Sequence, residues 1–177
     1  MQAEGETQSA GEVIQLPDRA NEPLDFTAFF ADEHVRLFKA LYFVTGNRAD
    51  AQEIMQETFL RLWERWDRVA EIEDLTAYLF RVAMNGSRMR ARAARRAAKR
   101  LVSIDASVDP FDEIDLRHDV LRMLRALSPR QRTALVLLDL YGYGSEDAAR
   151  IMGIRPSTVR ALATQGRAVL RNAGGPA

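Results

Sequence analysis

Ser145-Glu146-Asp147-Ala148-Ala149-Arg150-Ile151-Met152-Gly153-Ile154-Arg155-Pro156-Ser157-Thr158-Val159-Arg160-Ala161-Leu162 reads as two helices meeting at a glycine turn. Ala148, Ala149, Ile151 and Met152 give the first helix an apolar face. Gly153 allows a turn with positive φ, and Pro156 opens the second helix, where its missing N–H costs nothing. Small Ala149, Gly153 four residues later and Val159 six beyond that have the spacing of a helix-turn-helix. The small residue lets the helices cross closely, and Val159 with Leu162 fills the joint. Further along, Ala163, Gly166 and Leu170 face inward, while Ser157, Ala161, Thr164 and Ala168 project outward between Arg160, Arg167 and Arg171. Thr158 and Gln165 lie on the other flank. Small outward residues permit close entry into a major groove, and Arg160 is placed to bond a guanine edge or a phosphate. A helical hairpin that only packs is the competing reading of the same residues.

Upstream of this motif, Ser128-Pro129-Arg130-Gln131-Arg132 starts a supporting helix that runs through apolar Thr133–Leu140 to a flexible break at Gly142-Tyr143-Gly144. Helical periodicity begins near Asp115. Residues 101–114 include Val102-Ser103-Ile104-Asp105-Ala106-Ser107-Val108-Asp109-Pro110, a composition suited to a linker. Before it, Phe26, Phe29, Phe30, Val35, Leu37, Phe38, Leu41 and Tyr42 predict one helix, stopped by Gly46-Asn47. A second runs from about Ala49 to Trp66, a loop covers Asp67–Asp74, and a third runs from Leu75 to roughly Arg96. No alternating strand pattern occurs in the sequence. The fold predicted is all-α: two small helical domains joined by a flexible linker, the C-terminal one a helix-turn-helix. The divisions are a disordered acidic tail over 1–24, a helical domain over 25–100, the linker over 101–114 and the helix-turn-helix domain over 115–177.

The formal charge is zero, but the charge is unevenly spread. Residues 1–25 carry six acids against Arg19 alone, residues 81–100 carry eight bases and no acid, and residues 128–177 carry seven arginines against three acids. With no cysteine in the chain, disulfides, thiolate chemistry and cysteine zinc sites are excluded. His34 and His118 lack ligand spacing, and no phosphate loop or nucleophile–base pair is visible. Neither catalytic residues nor a metal site nor a cofactor is expected. No apolar run is long enough to span a membrane and the N-terminus is not signal-like, so a cytoplasmic protein is expected.

The second and third helices each have two chemically distinct faces. Ala51, Ile54, Met55, Thr58, Phe59, Leu62, Trp63 and Trp66 recur at helical spacing and predict a core face. Opposite them, Glu53, Gln56, Glu57, Leu60 and Glu64 form an acidic surface with one leucine at its centre, suited to a basic protein partner or simply solvated. On the third helix Leu75, Tyr78, Leu79, Val82, Gly86 and Met89 are expected inward. Arg81, Asn85, Arg88 and Arg92 make a stripe beside them. Guanidinium groups at that spacing can contact successive phosphates, and Asn85 can bond a base or sugar edge.

With both halves read, the chain resembles a bacterial RNA polymerase sigma factor of the extracytoplasmic-function (ECF) type over about residues 26–172. Ala51-Gln52-Glu53-Ile54-Met55-Gln56-Glu57-Thr58-Phe59-Leu60-Arg61-Leu62-Trp63 is similar to the family's polymerase-binding helix. Tyr78-Leu79-Phe80-Arg81-Val82-Ala83-Met84-Asn85 is similar to the helix that engages the −10 promoter element. Leu127-Ser128-Pro129-Arg130-Gln131-Arg132 with the helix-turn-helix is similar to the domain that reads the −35 element. The resemblance implies that Glu53, Gln56, Glu57 and Leu60 dock on the clamp helices of the polymerase's largest subunit. It implies that Arg81, Asn85, Arg88 and Arg92 hold the melted −10 strand, and that Ser157, Thr158, Arg160, Ala161, Thr164, Gln165 and Arg167 face the −35 element. Its partners would be core RNA polymerase, promoter DNA and, as in many relatives, an anti-sigma factor clamped between the domains.

Several positions depart from the family pattern, among them Arg155, a poor helix N-cap where Ser is usual. Tyr78 replaces Trp, Met89 replaces an acid, and Leu162 and Gln165 stand where further bases are usual. Each lost phosphate contact weakens binding and flattens its salt dependence. Two rivals remain at this point: a stand-alone helix-turn-helix regulator, and a polymerase-binding factor with impaired promoter reading.

Overall fold

The computed structural model describes residues 25–98 and 115–173, all of whose regular structure is helical. The acidic tail over 1–24 and the linker over 101–114 lie outside the described residues. Four helices form the N-terminal half: α1 (Phe26–Thr45), α2 (Arg48–Trp63), the short α3 (Trp66–Val69) and α4 (Leu75–Ala98). The C-terminal half holds α5 (Asp115–Arg125), α6 (Pro129–Leu135), α7 (Ser145–Met152) and α8 (Pro156–Ala173). A π-helical turn over Val136–Leu140 continues α6.

Local chemistry sets the boundaries. Asp25 caps α1, and Gly46 ends it in the left-handed conformation (φ 69°) with its N–H bonded to the Tyr42 carbonyl. Asn47 caps α2 through the Asp50 N–H, and Asp74 caps α4 through the Ala77 N–H at 2.8 Å. Ser128 and Gln131 form a reciprocal capping box at the start of α6, with Pro129 just inside. The loop expected over Asp67–Asp74 is instead partly helical, because Trp66 turns into the aromatic cluster of Phe26 and Phe29 (ring centroids 5.2 and 5.7 Å) and buries Val69 behind it.

Two inward expectations are corrected. Trp63 is 61% exposed and Met89 is 68% exposed. On α4 the core residue is Phe80, fully buried with Leu79 and Ala83, so the apolar face is centred further round the helix than the sequence pattern suggested. Similarly Ala168, expected outward, is half-buried.

The two halves pack on one another around a shared core that includes Leu37, Leu41, Phe80, Leu137, Ile151 and Val159. α7 lies against α4, and α6 against α1. Three side chains tie the contact. The Tyr141 hydroxyl donates to the Arg36 carbonyl at 2.7 Å. Arg36 places its guanidinium over the rings of Phe80, Tyr141 and Tyr143 at 5.5, 5.5 and 5.8 Å. Arg132 donates to the carbonyls of Leu124 (2.8 Å), Leu127 (3.3 Å) and, in the other half, Val44 (3.1 Å). Gly142-Tyr143-Gly144, read from sequence as a flexible break, is therefore an anchor. Gly142 turns at φ 69°, the Tyr143 N–H bonds the Leu137 carbonyl at 3.0 Å, and the Tyr143 ring meets Phe80 edge-on.

Candidate nucleic-acid interface

The α4 stripe emerges on the side of that helix away from Leu79, Phe80 and Ala83. Arg81 and Arg92 are exposed, while Asn85 and Arg88 are half-buried. Arg88 donates to the Asn85 side-chain oxygen, which leaves the Asn85 amide nitrogen as the donor for a base or sugar acceptor. Burial first, then the charges of Arg130 and Arg92, hold the Arg88 guanidinium below its ordinary proton affinity. It stays charged nonetheless, since a guanidinium does not lose its proton in proteins. Among the described residues no carboxylate pairs with Arg88, Arg92 or Arg130. Three gathered, unneutralised guanidiniums make a local positive field that draws phosphates.

Arg88 and Arg130 also border a cavity of about 710 Å³ between the halves, with Ile54, Met84, Pro129 and Met152 among its walls. Further up α4, Arg81 shares a shallow cleft with Glu146, Arg150 and Arg155 of the C-terminal half. The stripe is thus flanked along its length by α6 and α7.

On α2, Glu53, Gln56, Glu57 and Leu60 all reach solvent, with Leu60 54% exposed. Trp63, one turn on, adds a second exposed apolar side chain to the same surface. Sequence reasoning assigned it to the core because it continues the three- and four-residue spacing, and only the packing of Leu62 reveals that it points outward. Arg90 of α4 pairs with Asp50 (3.3 Å) and Glu53 of α2, and these carboxylates raise its proton affinity. α2 also packs directly on α4, where a Cβ on Gly86 would stand 3.5 Å from Ile54 Cγ2, so the acidic face and the cationic stripe are held at fixed spacing.

α8 presents Ser157, Thr158, Arg160, Ala161, Thr164, Gln165 and Arg167 to solvent. Val159 and Ala163 are buried beneath them. Gly153 turns at φ 63° and returns its N–H to the Ala149 carbonyl, closing the motif. Gly166 lies so close to α6 that a Cβ there would stand 2.9 Å from Leu135 Cδ1. Two of the outward cations are already engaged: Arg160 donates to the Ser145 hydroxyl at 3.1 Å, and Arg167 pairs with Asp139 of the π-helical turn, its Nε at 3.1 Å. Among the described residues, no cluster of three His, Asp or Glu could hold a metal ion, and no helix is long and apolar enough to cross a membrane.

Two family descriptions match the chain: "Sigma-70 region 2" over residues 29–97 and "Sigma-70, region 4" over residues 117–170. The chain belongs to the ECF sigma factors. Its similarity to the "RNA polymerase sigma-E factor" of Streptomyces avermitilis is 29% identity over 157 residues, covering 85% of each chain. It is 26% identical to the "ECF RNA polymerase sigma factor SigG" of Mycobacterium tuberculosis, but spans only 48% of that longer protein. Among solved structures it is similar to the sigma factor RpoE of Bartonella quintana, crystallised with the anti-sigma factor NepR. That match has TM-score 0.69 and 25% identity over 84% of this chain and 95% of the other. In this sigma factor, region 2 spans α1 to α4 and carries both the acidic face and the cationic stripe. Region 4 spans α5 to α8 and carries the helix-turn-helix.

Proposed function

We propose that the three faces divide the work of initiation at the residues named above. Glu53, Gln56, Glu57 and Leu60, joined by Trp63, dock on the clamp helices of the polymerase's largest subunit. Arg81, Asn85, Arg88 and Arg92 hold the melted −10 strand. Ser157, Thr158, Arg160, Ala161, Thr164, Gln165 and Arg167 face the −35 element. As a sigma factor the chain binds core RNA polymerase and directs promoter-specific transcription initiation. It acts in the cytoplasm, on the nucleoid once in holoenzyme, and performs no chemistry of its own. Binding free energy to extruded bases offsets the cost of unpairing them. The domain divisions 25–100 and 115–177 follow these two tasks, and an anti-sigma partner would act on the groove between the halves.

One observation carries this reading: α2 is packed against α4 through Ile54 and Gly86, with Arg90 bridging to Asp50 and Glu53 at the surface, so the acidic face and the cationic stripe move as one. Docking α2 on polymerase therefore fixes where the DNA strand is held. Permanganate footprinting of a reconstituted promoter complex tests the division. Asn85→Ala is expected to lower thymine reactivity in the −10 region while leaving polymerase affinity unchanged. Leu60→Asp is expected to do the reverse, weakening polymerase binding by roughly thirtyfold, the scale of a lost interface anchor. Unchanged reactivity in Asn85→Ala would remove α4 from strand capture.

A further inference from the structure

Met89 is the most exposed large apolar side chain among the described residues, at 68%. Apart from Val35 on α1, the other large apolar side chains exposed in the N-terminal half have visible uses or partners. Leu60 and Trp63 belong to the docking face, and Phe30 stacks on His34 and packs edge-on against Phe59. Met89 has no such partner. At about 100° per residue, it falls about 40° from Asn85 around α4 and about 20° from Tyr78, with Arg88 and Arg92 on the Asn85 side. The chain carries no acid from residue 81 to residue 100, and the α2 carboxylates that reach α4, Asp50 and Glu53, are paired with Arg90. A long apolar side chain thus stands in water within a surface otherwise built for phosphates.

A duplex presents phosphates and polar groove edges to such a surface, and neither benefits from a thioether. An unpaired base presents a flat apolar face. Methionine is unbranched and polarisable, so it conforms to an aromatic face and gains dispersion there, and apolar side chains used as wedges between base steps are a recurrent device. We infer that Met89 seats against the face of one unpaired base of the melted −10 strand, beside the Asn85 amide and between phosphates held by Arg88 and Arg92. It gives the α4 surface its preference for unpaired over paired DNA. This rests on the assignment of the α4 stripe to the −10 strand.

The test uses holoenzyme reconstituted with the full chain. Fork-junction DNA is built from a start site mapped with this sigma factor, and each base of the unpaired strand is replaced in turn by an abasic residue. Wild type should lose affinity at one position, by about fivefold or more, the scale of one base–side-chain stack. Met89→Ala should bind the intact probe more weakly by a similar factor and be indifferent to the abasic residue at that position. Met89→Leu should restore most of the binding, and Met123→Ala on α5, another exposed methionine, should behave as wild type. The salt dependence of Met89→Ala should equal that of wild type, because no charge is removed. A wild-type abasic profile in Met89→Ala, alongside weakened binding in Asn85→Ala and Arg88→Ala, overturns the role of Met89 alone. Wild-type binding in all three variants overturns the α4 assignment and this inference with it.

Discussion

The two DNA-facing helices differ in how the fold treats them. The outward face of α8 is open to solvent, with several small residues and charges that are few and partly paired. α4 gathers more unpaired cations and, among the described residues, the only exposed methionine of the region 2 half, but α6 and α7 flank its stripe and Arg88 is half-buried. In the closed arrangement, the helix poised for a duplex is open and the helix suited to a single strand is partly covered. This ordering matches the order of need: a −35 duplex exists before polymerase acts, whereas an unpaired strand exists only afterwards. The contact between halves has a cohesive side, where Arg36, Phe80, Tyr141 and Tyr143 gather, and a repulsive side, where Arg88 faces Arg130.

The comparison is most open to breakage by truncating two polar side chains on each helix in turn. Arg88→Ala with Arg92→Ala should lower run-off transcription about a hundredfold, through two lost phosphate contacts and a disrupted Asn85. Arg160→Ala with Gln165→Ala should lower it only about fivefold on the same promoter, since one charge rather than two is removed and the Arg160 guanidinium already donates to the Ser145 hydroxyl. Equal losses would mean that α8 carries as much of the binding as α4.

Next in size is Gly166→Ala, which forces a Cβ to within 2.9 Å of Leu135 Cδ1. Overpacking of that kind costs about 1–3 kcal/mol. Thermal denaturation should show the loss, and −35 duplex binding should fall with it while single-strand binding by α4 is spared. A wild-type melting temperature would show that α8 is not seated against α6 as described.

A smaller effect sharpens the account of α4. Tyr141→Phe removes the hydrogen bond to the Arg36 carbonyl, worth about 1 kcal/mol, and should open the halves slightly. The free chain's affinity for single-stranded DNA should then rise by a few-fold, with no change for a −35 duplex. The same hydroxyl gives a pH test. Burial raises its pKa from 10.0 to about 12, and burial raises that of Tyr143 as well. A group whose folded pKa is raised contributes stability that is complete below its unfolded value and lost as pH rises through the folded one. Denaturant melts should therefore show stability declining from pH 10 toward pH 12, less steeply in Tyr141→Phe. A decline of equal slope in the variant would remove Tyr141 from the closure.

Much of this was legible in the sequence, for reasons that differ by element. The helix-turn-helix could be read because its joint needs Ala149, Gly153 and Val159 at fixed offsets. The capping box at Ser128 and Gln131 likewise announces itself locally. The faces of α2 and α4 were legible in their charged residues, since charge stays outside unless paired. Their apolar residues were less so: Trp63 and Met89 obey the core periodicity, and only tertiary packing shows that nothing covers them. Least legible was the contact between halves. Tyr141 and Tyr143 alternate with Gly142 and Gly144 in a signal that locally means a turn, and their partner Arg36 lies in a distant helix on what reads as a surface position.

The most direct test of the central claim is run-off transcription by core RNA polymerase, with and without this sigma factor, on a sheared genomic template library. New 5′ ends that share a two-part upstream sequence, and that vanish with Asn85→Ala, are the result expected. Polymerase that binds the chain yet initiates at no new site would contradict it.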